Sequence, residues 1–184
     1  MKLLPFLMSR QGAILAKWFE AILADYPAET ARFLKSNTDT FHNPVGHTFR
    51  QGLETLWSAL MQPQISEEMI KTALEPLVKI RAVQDFPPGR AVGFVLYLKR
   101  AVRELLAEAG PEEAFWRELA EFEERVDLAI LLSFEVYSLC REQLYAIRIK
   151  ELKNSIPKVY REAVLRQCGG WQGKESSAVI GSEG

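Results

Sequence analysis

The side chains able to do chemistry are few and scattered. The two histidines, His42 and His47, flank Asn43-Pro44. A metal centre would need further ligands at close spacing, and the neighbours Asn43 and Thr48 are poor ones. Capping and turn structure account for them better, and no metal is expected. Arg81, Gln84 and Asp85 form a second polar group. As an i, i+4 helical pair, Arg81 and Asp85 would contribute about 0.2–0.5 kcal/mol. The sharper alternative is a polar cluster that reads an anionic or signalling ligand. Cys140 and Cys168 lie 28 positions apart with no CxxC, so neither a zinc site nor a redox dithiol is supported. Cys140 falls on an apolar helix face and reads as an inert core thiol. Cys168, before Gly169-Gly170-Trp171, is expected to be exposed and oxidisable, with only Arg166 nearby to activate it. There is no GxSxG, HExxH, P-loop or GxGxxG. Without a nucleophile–base pairing, the expectation is a protein that is not an enzyme and carries no cofactor.

The totals narrow the class further. A chain of 184 residues suits one domain with a tail. The formal charge of −1 and pI near 6.2 lack the basic excess of a nucleic-acid binder. Met1 to Met8 faintly imitates a signal peptide, but the apolar run is short, holds Pro5 and leads into a charged amphipathic segment. No run of about 18 apolar residues exists, so no membrane span is expected. The cysteine usage suits a reducing, cytoplasmic setting.

The elements that must position these residues read as helices. Ser9 is placed to cap a helix running to about Tyr26, broken by Pro27. A short helix follows over about Ala28–Lys35. Asn43-Pro44 reads as N-cap and N1, opening a helix with Phe49, Leu53, Leu56, Trp57 and Leu60 on one face. Ser66, Glu67 and Glu68 open the next, acids at the positive end of its dipole. Pro76 is expected to kink or split that helix. Pro87-Pro88 primes another over about Gly89–Ala109, where Gly93 predicts a close helix–helix approach. Gly110-Pro111 then reads as C-cap and N1.

Glu112–Ser155 organises the whole. It holds neither proline nor glycine, and Phe115, Leu119, Phe122, Val126, Ala129, Ile130, Ser133, Val136, Tyr137, Cys140, Leu144 and Ile147 recur at helical spacing, Ser133 being the one polar member. At about 1.5 Å per residue such a helix is roughly 60 Å long, more than a small domain is wide. It must kink, or one end must stand clear and find a partner. From Glu112 to Asp127 there are seven acids and two arginines, and from Arg141 to Arg166 seven basic residues and three acids. That sense suits the helix dipole. It would also let two copies pair acidic end to basic end.

No segment alternates with period two. The expected fold class is all-α, a globin-like orthogonal helical bundle with a long penultimate or last helix, since unequal helices and proline breaks fit it better than a plain four-helix bundle. The domain is expected over 1–155. Residues 156–184 are expected to hold a short helix and a mobile Gly/Ser-rich tail. Leu77–Phe86, where a haem globin would place its proximal ligand, contains no histidine.

Three motifs carry a family resemblance. Phe41-His42-Asn43-Pro44-Val45-Gly46-His47-Thr48-Phe49, then Ile80 to Phe86 followed by Ala91-Val92-Gly93-Phe94-Val95, and Cys140-Arg141-Glu142 together resemble the RsbRD N-terminal domain. This is the sensory domain at the front of RsbT co-antagonist proteins of the bacterial stressosome. The resemblance covers about Ile14 to Lys153. It implies a non-haem globin-like fold, dimerisation through terminal helices and a signalling role in the stress response. In the family the long helix leads into a STAS domain, for which too few residues follow Ser155 here, so a stand-alone sensor or adaptor is expected. A local departure is Pro87, whose side chain can make no capping hydrogen bond.

The resulting expectation is a regulatory, non-catalytic domain that forms a homodimer through its long helix and relays a signal to a protein partner of unknown identity. Val126, Ile130, Phe134, Tyr137, Arg141, Leu144 and Ile147 are its candidate interface. The rival expectation is a small-ligand sensor with a vestigial haem-type pocket formed by His47, Phe49, Arg81, Gln84 and Phe94.

Overall fold

The computed structural model describes residues 2–36, 41–110 and 113–155. Among them the protein is all-α, with no strand. The eight helices are α1 (Leu3–Ser9), α2 (Gln11–Leu23), α3 (Ala28–Ser36), α4 (Pro44–Leu60), α5 (Glu67–Val83), α6 (Pro88–Gly93), α7 (Leu96–Ala109) and α8 (Glu113–Ser155). The chain divides into two units, Met1–Arg141 and Glu142–Gly184. The expected short helix and tail over 156–184, with Cys168, lie outside the described residues.

In the first unit α4 packs most closely on α5, and α2 lies against both α4 and α7. The starts of α4 and α5 follow local chemistry. Asn43 caps α4 by accepting from the Gly46 N–H at 2.8 Å, with Pro44 in the first turn. Ser66 caps α5 by accepting from the Met69 N–H at 3.4 Å. Phe49, Leu53, Leu56, Trp57 and Leu60 are all buried, as the α4 periodicity requires. Gly110 closes α7 in the left-handed conformation, φ 64°.

Four expectations are corrected. The first helix is two: Ser9 ends α1, its hydroxyl donating to Phe6 O at 2.7 Å, and α2 starts with no side-chain cap. Leu3, Phe6 and Leu7 of α1 are buried, so the apolar N-terminus belongs to the core. Pro76 does not split α5, which runs through it from Glu67 to Val83. The single helix expected over Gly89–Ala109 is α6 and α7, with Phe94 and Val95 between them. Finally, Gly93 ends α6 in open space, with nothing within 4 Å of an added Cβ. The close approach is made instead by Gly52 of α4, where a Cβ would lie 2.6 Å from Leu77 Cδ2 of α5.

Within the first unit α8 buries Phe115, Leu119, Phe122, Val126, Ala129, Leu132, Ser133, Val136 and Tyr137. The Phe122 ring lies 6.2 Å from that of Trp57. Ser133 is accommodated by donating to Ile130 O at 2.7 Å. The acids of its first half serve the unit itself: Glu123 pairs with Arg103 at 2.6 Å and Asp127 with Lys99 at 2.7 Å. Arg125 donates to Leu60 O and Gln62 O at 3.0 and 2.7 Å, satisfying carbonyls left over at the end of α4. Of the second unit, residues 142–155 are described. There Leu144 is half-buried and Ile147 is exposed, so the buried face expected to reach Ile147 does not extend that far.

Candidate functional site

The densest polar chemistry centres on Arg81 in the last turn of α5, whose side chain is fully buried. A charged group without water needs an opposite charge and hydrogen bonds. Its Nη2 donates to Asp25, just beyond α2, and to Arg90 O at 2.8 Å. Asp25 also accepts from the Tyr97 hydroxyl of α7 at 2.8 Å. Nε and Nη1 of Arg81 have no hydrogen-bond partner among the described residues. Aromatic faces take their place: the guanidinium carbon lies 4.4 Å from the Phe86 ring centroid, 5.6 Å from Phe94 and 5.8 Å from Tyr26.

The rings interlock. Tyr26 meets Phe86 edge-on at 5.3 Å and Phe49 at 6.3 Å, while its hydroxyl donates to Gln84 Oε1 at 2.9 Å. Burial pushes the Tyr26 phenol above its ordinary value, opposed by the positive charge of Arg81. Tyr97 is raised too, by burial first and then by its hydrogen bond to Asp25.

The turn after α5 determines which acid Arg81 meets. The helix ends at Val83 and Gln84 is its C-cap. Asp85 then adopts a left-handed conformation, φ 56°. The Phe86 N–H donates to Arg81 O at 3.2 Å and the Asp85 N–H to Ala82 O at 3.3 Å. This is a Schellman closure with aspartate where glycine is usual. Asp85 therefore leaves the helical path and is not four residues along a helix from Arg81. It accepts from Arg141 Nη1 of α8 at 2.7 Å instead. The expected Arg81–Asp85 pair is corrected on that ground.

Phe49, Arg81, Gln84 and Phe94 are thus joined, with Tyr26 linking Phe49 and Gln84 to the rest. His47 stands half-buried on the first turn of α4 and makes no hydrogen bond or ring contact with this cluster among the described residues. Asp25, Tyr26 and Tyr97 were missed in the sequence. One signal was there: Asp25 follows a helix C-terminus, where the dipole disfavours an acid, so it had to be held by something else. Two clefts flank the cluster. One of about 580 Å³ lies between α2 and α7, lined by four alanines and by the charged Lys17, Glu20, Arg100 and Glu104, and bordered by Asp25 and Tyr97. The other, about 410 Å³, includes Ile80, Val83 and Gln84.

On α8 the interface candidates separate by exposure. Val126 and Tyr137 are 0% and 5% exposed and belong to the core of the first unit. Ile130 and Arg141 are half-buried, and Phe134 is 53% exposed. Cys140 is half-buried, and burial raises its thiol pKa, which fits an unreactive side chain. Among the described residues no group of three His, Cys, Asp or Glu could hold a metal ion, and no helix is long and apolar enough to cross a membrane.

The family model for the RsbT co-antagonist protein rsbRD N-terminal domain matches residues 12–152. The chain belongs to this family. The matched span contains the whole Arg81 cluster and α8 as far as Leu152. No curated protein and no solved structure matches the chain. The rsbRD N-terminal domain is a regulatory, sensory domain of stress signalling and not a known enzyme family. The three motifs fall at structurally demanding places: Asn43 to Phe49 opens α4, Ile80 to Phe86 closes α5, and Arg141 grips that closure from α8.

Proposed function

We propose that this chain is a non-catalytic signalling domain that forms a homodimer through α8 and relays a signal to a protein partner in the cytoplasm by a shift in helix packing. The supporting observation is an apolar face on α8 that the first unit leaves uncovered. Leu131, Phe134 and Leu139 are 67%, 53% and 59% exposed, while Leu132, Val136 and Tyr137 on the other side are buried. In the second unit Tyr145, Ile147, Ile149 and Leu152 are likewise half exposed or more. Large apolar side chains clustered in this way mark an association surface. The interface proposed keeps Ile130, Phe134 and Arg141 on the first unit and Leu144 and Ile147 on the second, and adds Leu131 and Leu139 on their exposure. The globin-like packing inferred from the sequence remains part of this proposal. The rings of Tyr26, Phe86 and Phe94 pack on the Arg81 guanidinium, and that filled surrounding favours an adaptor over a haem-type pocket.

Sedimentation, with the absorbance spectrum taken from the same cell, tests this. A dimer without a Soret band is expected, and Phe134→Glu should yield a monomer of unchanged helicity. A wild-type monomer would remove α8 from the proposal, and a Soret band would remove its non-haem character. The second reading is a small-ligand sensor, for which the cleft of about 580 Å³ beside Asp25 and Tyr97 is the specific support.

A further inference from the structure

We infer that the turn closing α5, Gln84 to Pro87, couples the Arg81 cluster to α8. This deepens the relay in the proposed function and rests on that reading for its purpose, though not for its geometry. Phe86 faces two ways. Its ring lies 4.4 Å from the Arg81 guanidinium carbon and meets Tyr26 at 5.3 Å. Its carbonyl accepts the Tyr137 hydroxyl of α8 at 2.9 Å. One turn further along α8, Arg141 Nη1 donates to Ala82 O at 3.2 Å and to Asp85 at 2.7 Å. The Ala82 carbonyl in the last turn of α5, the left-handed Asp85 and the Phe86 carbonyl are thereby all held from α8.

The turn is short and its backbone is fully specified by the Schellman closure, so its two sides move as one piece. Asp25 holds Arg81, and Arg81 lies against the ring of Phe86. A displacement of Asp25, which borders the cleft between α2 and α7, therefore shifts the Phe86 backbone that Tyr137 reads. The uncommon left-handed aspartate follows from the same arrangement: glycine would close the helix with less backbone cost but would offer Arg141 no carboxylate. Tyr137 and Arg141 are in this respect positioning residues that register the turn on α8.

Coupling between two ends must be reciprocal. Backbone amide hydrogen exchange of the full chain measures it from both. Tyr137→Phe removes one hydroxyl and should speed exchange of the Phe86, Asp25 and Tyr26 amides about three- to tenfold. Tyr97→Phe, which takes one hydroxyl from the Asp25 carboxylate and leaves the buried charge pair intact, should speed exchange over 134–141 of α8 by a similar factor, with 53–60 of α4 unchanged in both. Exchange confined to the substituted end, or raised evenly throughout, overturns the coupling. Sedimentation of each variant runs alongside. A monomer with reciprocal exchange sinks the dimer and keeps the coupling, whereas a dimer without it does the reverse.

Discussion

Arg81 pairs with Asp25, 56 positions earlier in the chain, while Asp85, four positions later, pairs with Arg141 of α8. The two acids are chemically equal and differ in surroundings. The Asp25 side chain is 9% exposed and its partner 0%, whereas Asp85 is 61% exposed. Removing one partner of a buried pair strands a charge in a poorly solvated site, and an exposed pair carries no such penalty.

Asp25→Ala should therefore destabilise the fold by about 3–5 kcal/mol, the cost of stranding a buried charge. Asp85→Asn, which keeps a residue tolerant of the left-handed conformation, should cost about 1 kcal/mol or less. Urea denaturation of both variants checks this. Equal losses would mean that burial does not distinguish the two pairs.

The glycines of α4 and α6 make opposite predictions. A Cβ at Gly52 would lie 2.6 Å from Cδ2 and 2.8 Å from Cγ of Leu77, itself fully buried and unable to swing aside. Gly52→Ala should cost about 1–3 kcal/mol through overpacking. Gly93→Ala meets nothing within 4 Å and should be neutral or stabilising by up to about 1 kcal/mol through reduced unfolded-state entropy. Thermal midpoints of the two variants should move in opposite directions or differ clearly in size.

Asn43 does two jobs from a fully buried position. Its Oδ1 caps α4, and its Nδ2 donates to Phe33 O and Leu34 O of α3 at 3.2 and 3.0 Å. Asn43→Ala should cost about 2 kcal/mol, the upper end for an N-cap, because donors to α3 are lost as well. Asn43→Asp keeps the cap acceptor but sets a buried carboxylate oxygen against the Phe33 and Leu34 carbonyls, so at neutral pH it should cost at least as much as alanine. An aspartate variant as stable as wild type would show that the α3 contacts contribute nothing.

Alkaline pH should weaken the fold through Tyr26 and Tyr97. Both folded-state values are raised above the ordinary 10.0, so the folded chain holds its phenol protons more tightly than the unfolded one. That stability is fully present below pH of about 10 and is lost as pH rises through the folded values. Unfolding midpoints recorded from pH 8 upward, together with phenolate absorbance, should show the loss, and Tyr26→Phe should make it shallower. A midpoint independent of pH in that range would contradict the protective burial of both rings.

Much of the fold was legible because it depends on neighbours in sequence. The caps at Asn43 and Ser66, the Gly110 closure and the breaks at Pro27 and Pro87-Pro88 each need only a few adjacent residues and appear where the sequence places them, whereas Pro76 sits inside an undivided α5. The start and end of α8 were legible too, since nothing over Glu113–Ser155 interrupts a helix. The candidate site was legible in part. Phe49, Arg81, Gln84 and Phe94 do gather, but the residues that bind them together, Asp25, Tyr26 and Tyr97, lie on other helices. Gly93 misled because a glycine in a helical pattern does not say which neighbour, if any, comes near.

By itself the sequence determined helix class, the main helix starts and the inward faces, since hydrogen bonding along one helix and its apolar period are local properties. Only the tertiary structure decided which acid neutralises Arg81, which glycine admits a neighbouring helix and where the buried face of α8 stops. Those outcomes depend on side chains brought together across long stretches of chain. A charge deprived of water is held by whatever partner the packing supplies, whatever its distance in sequence.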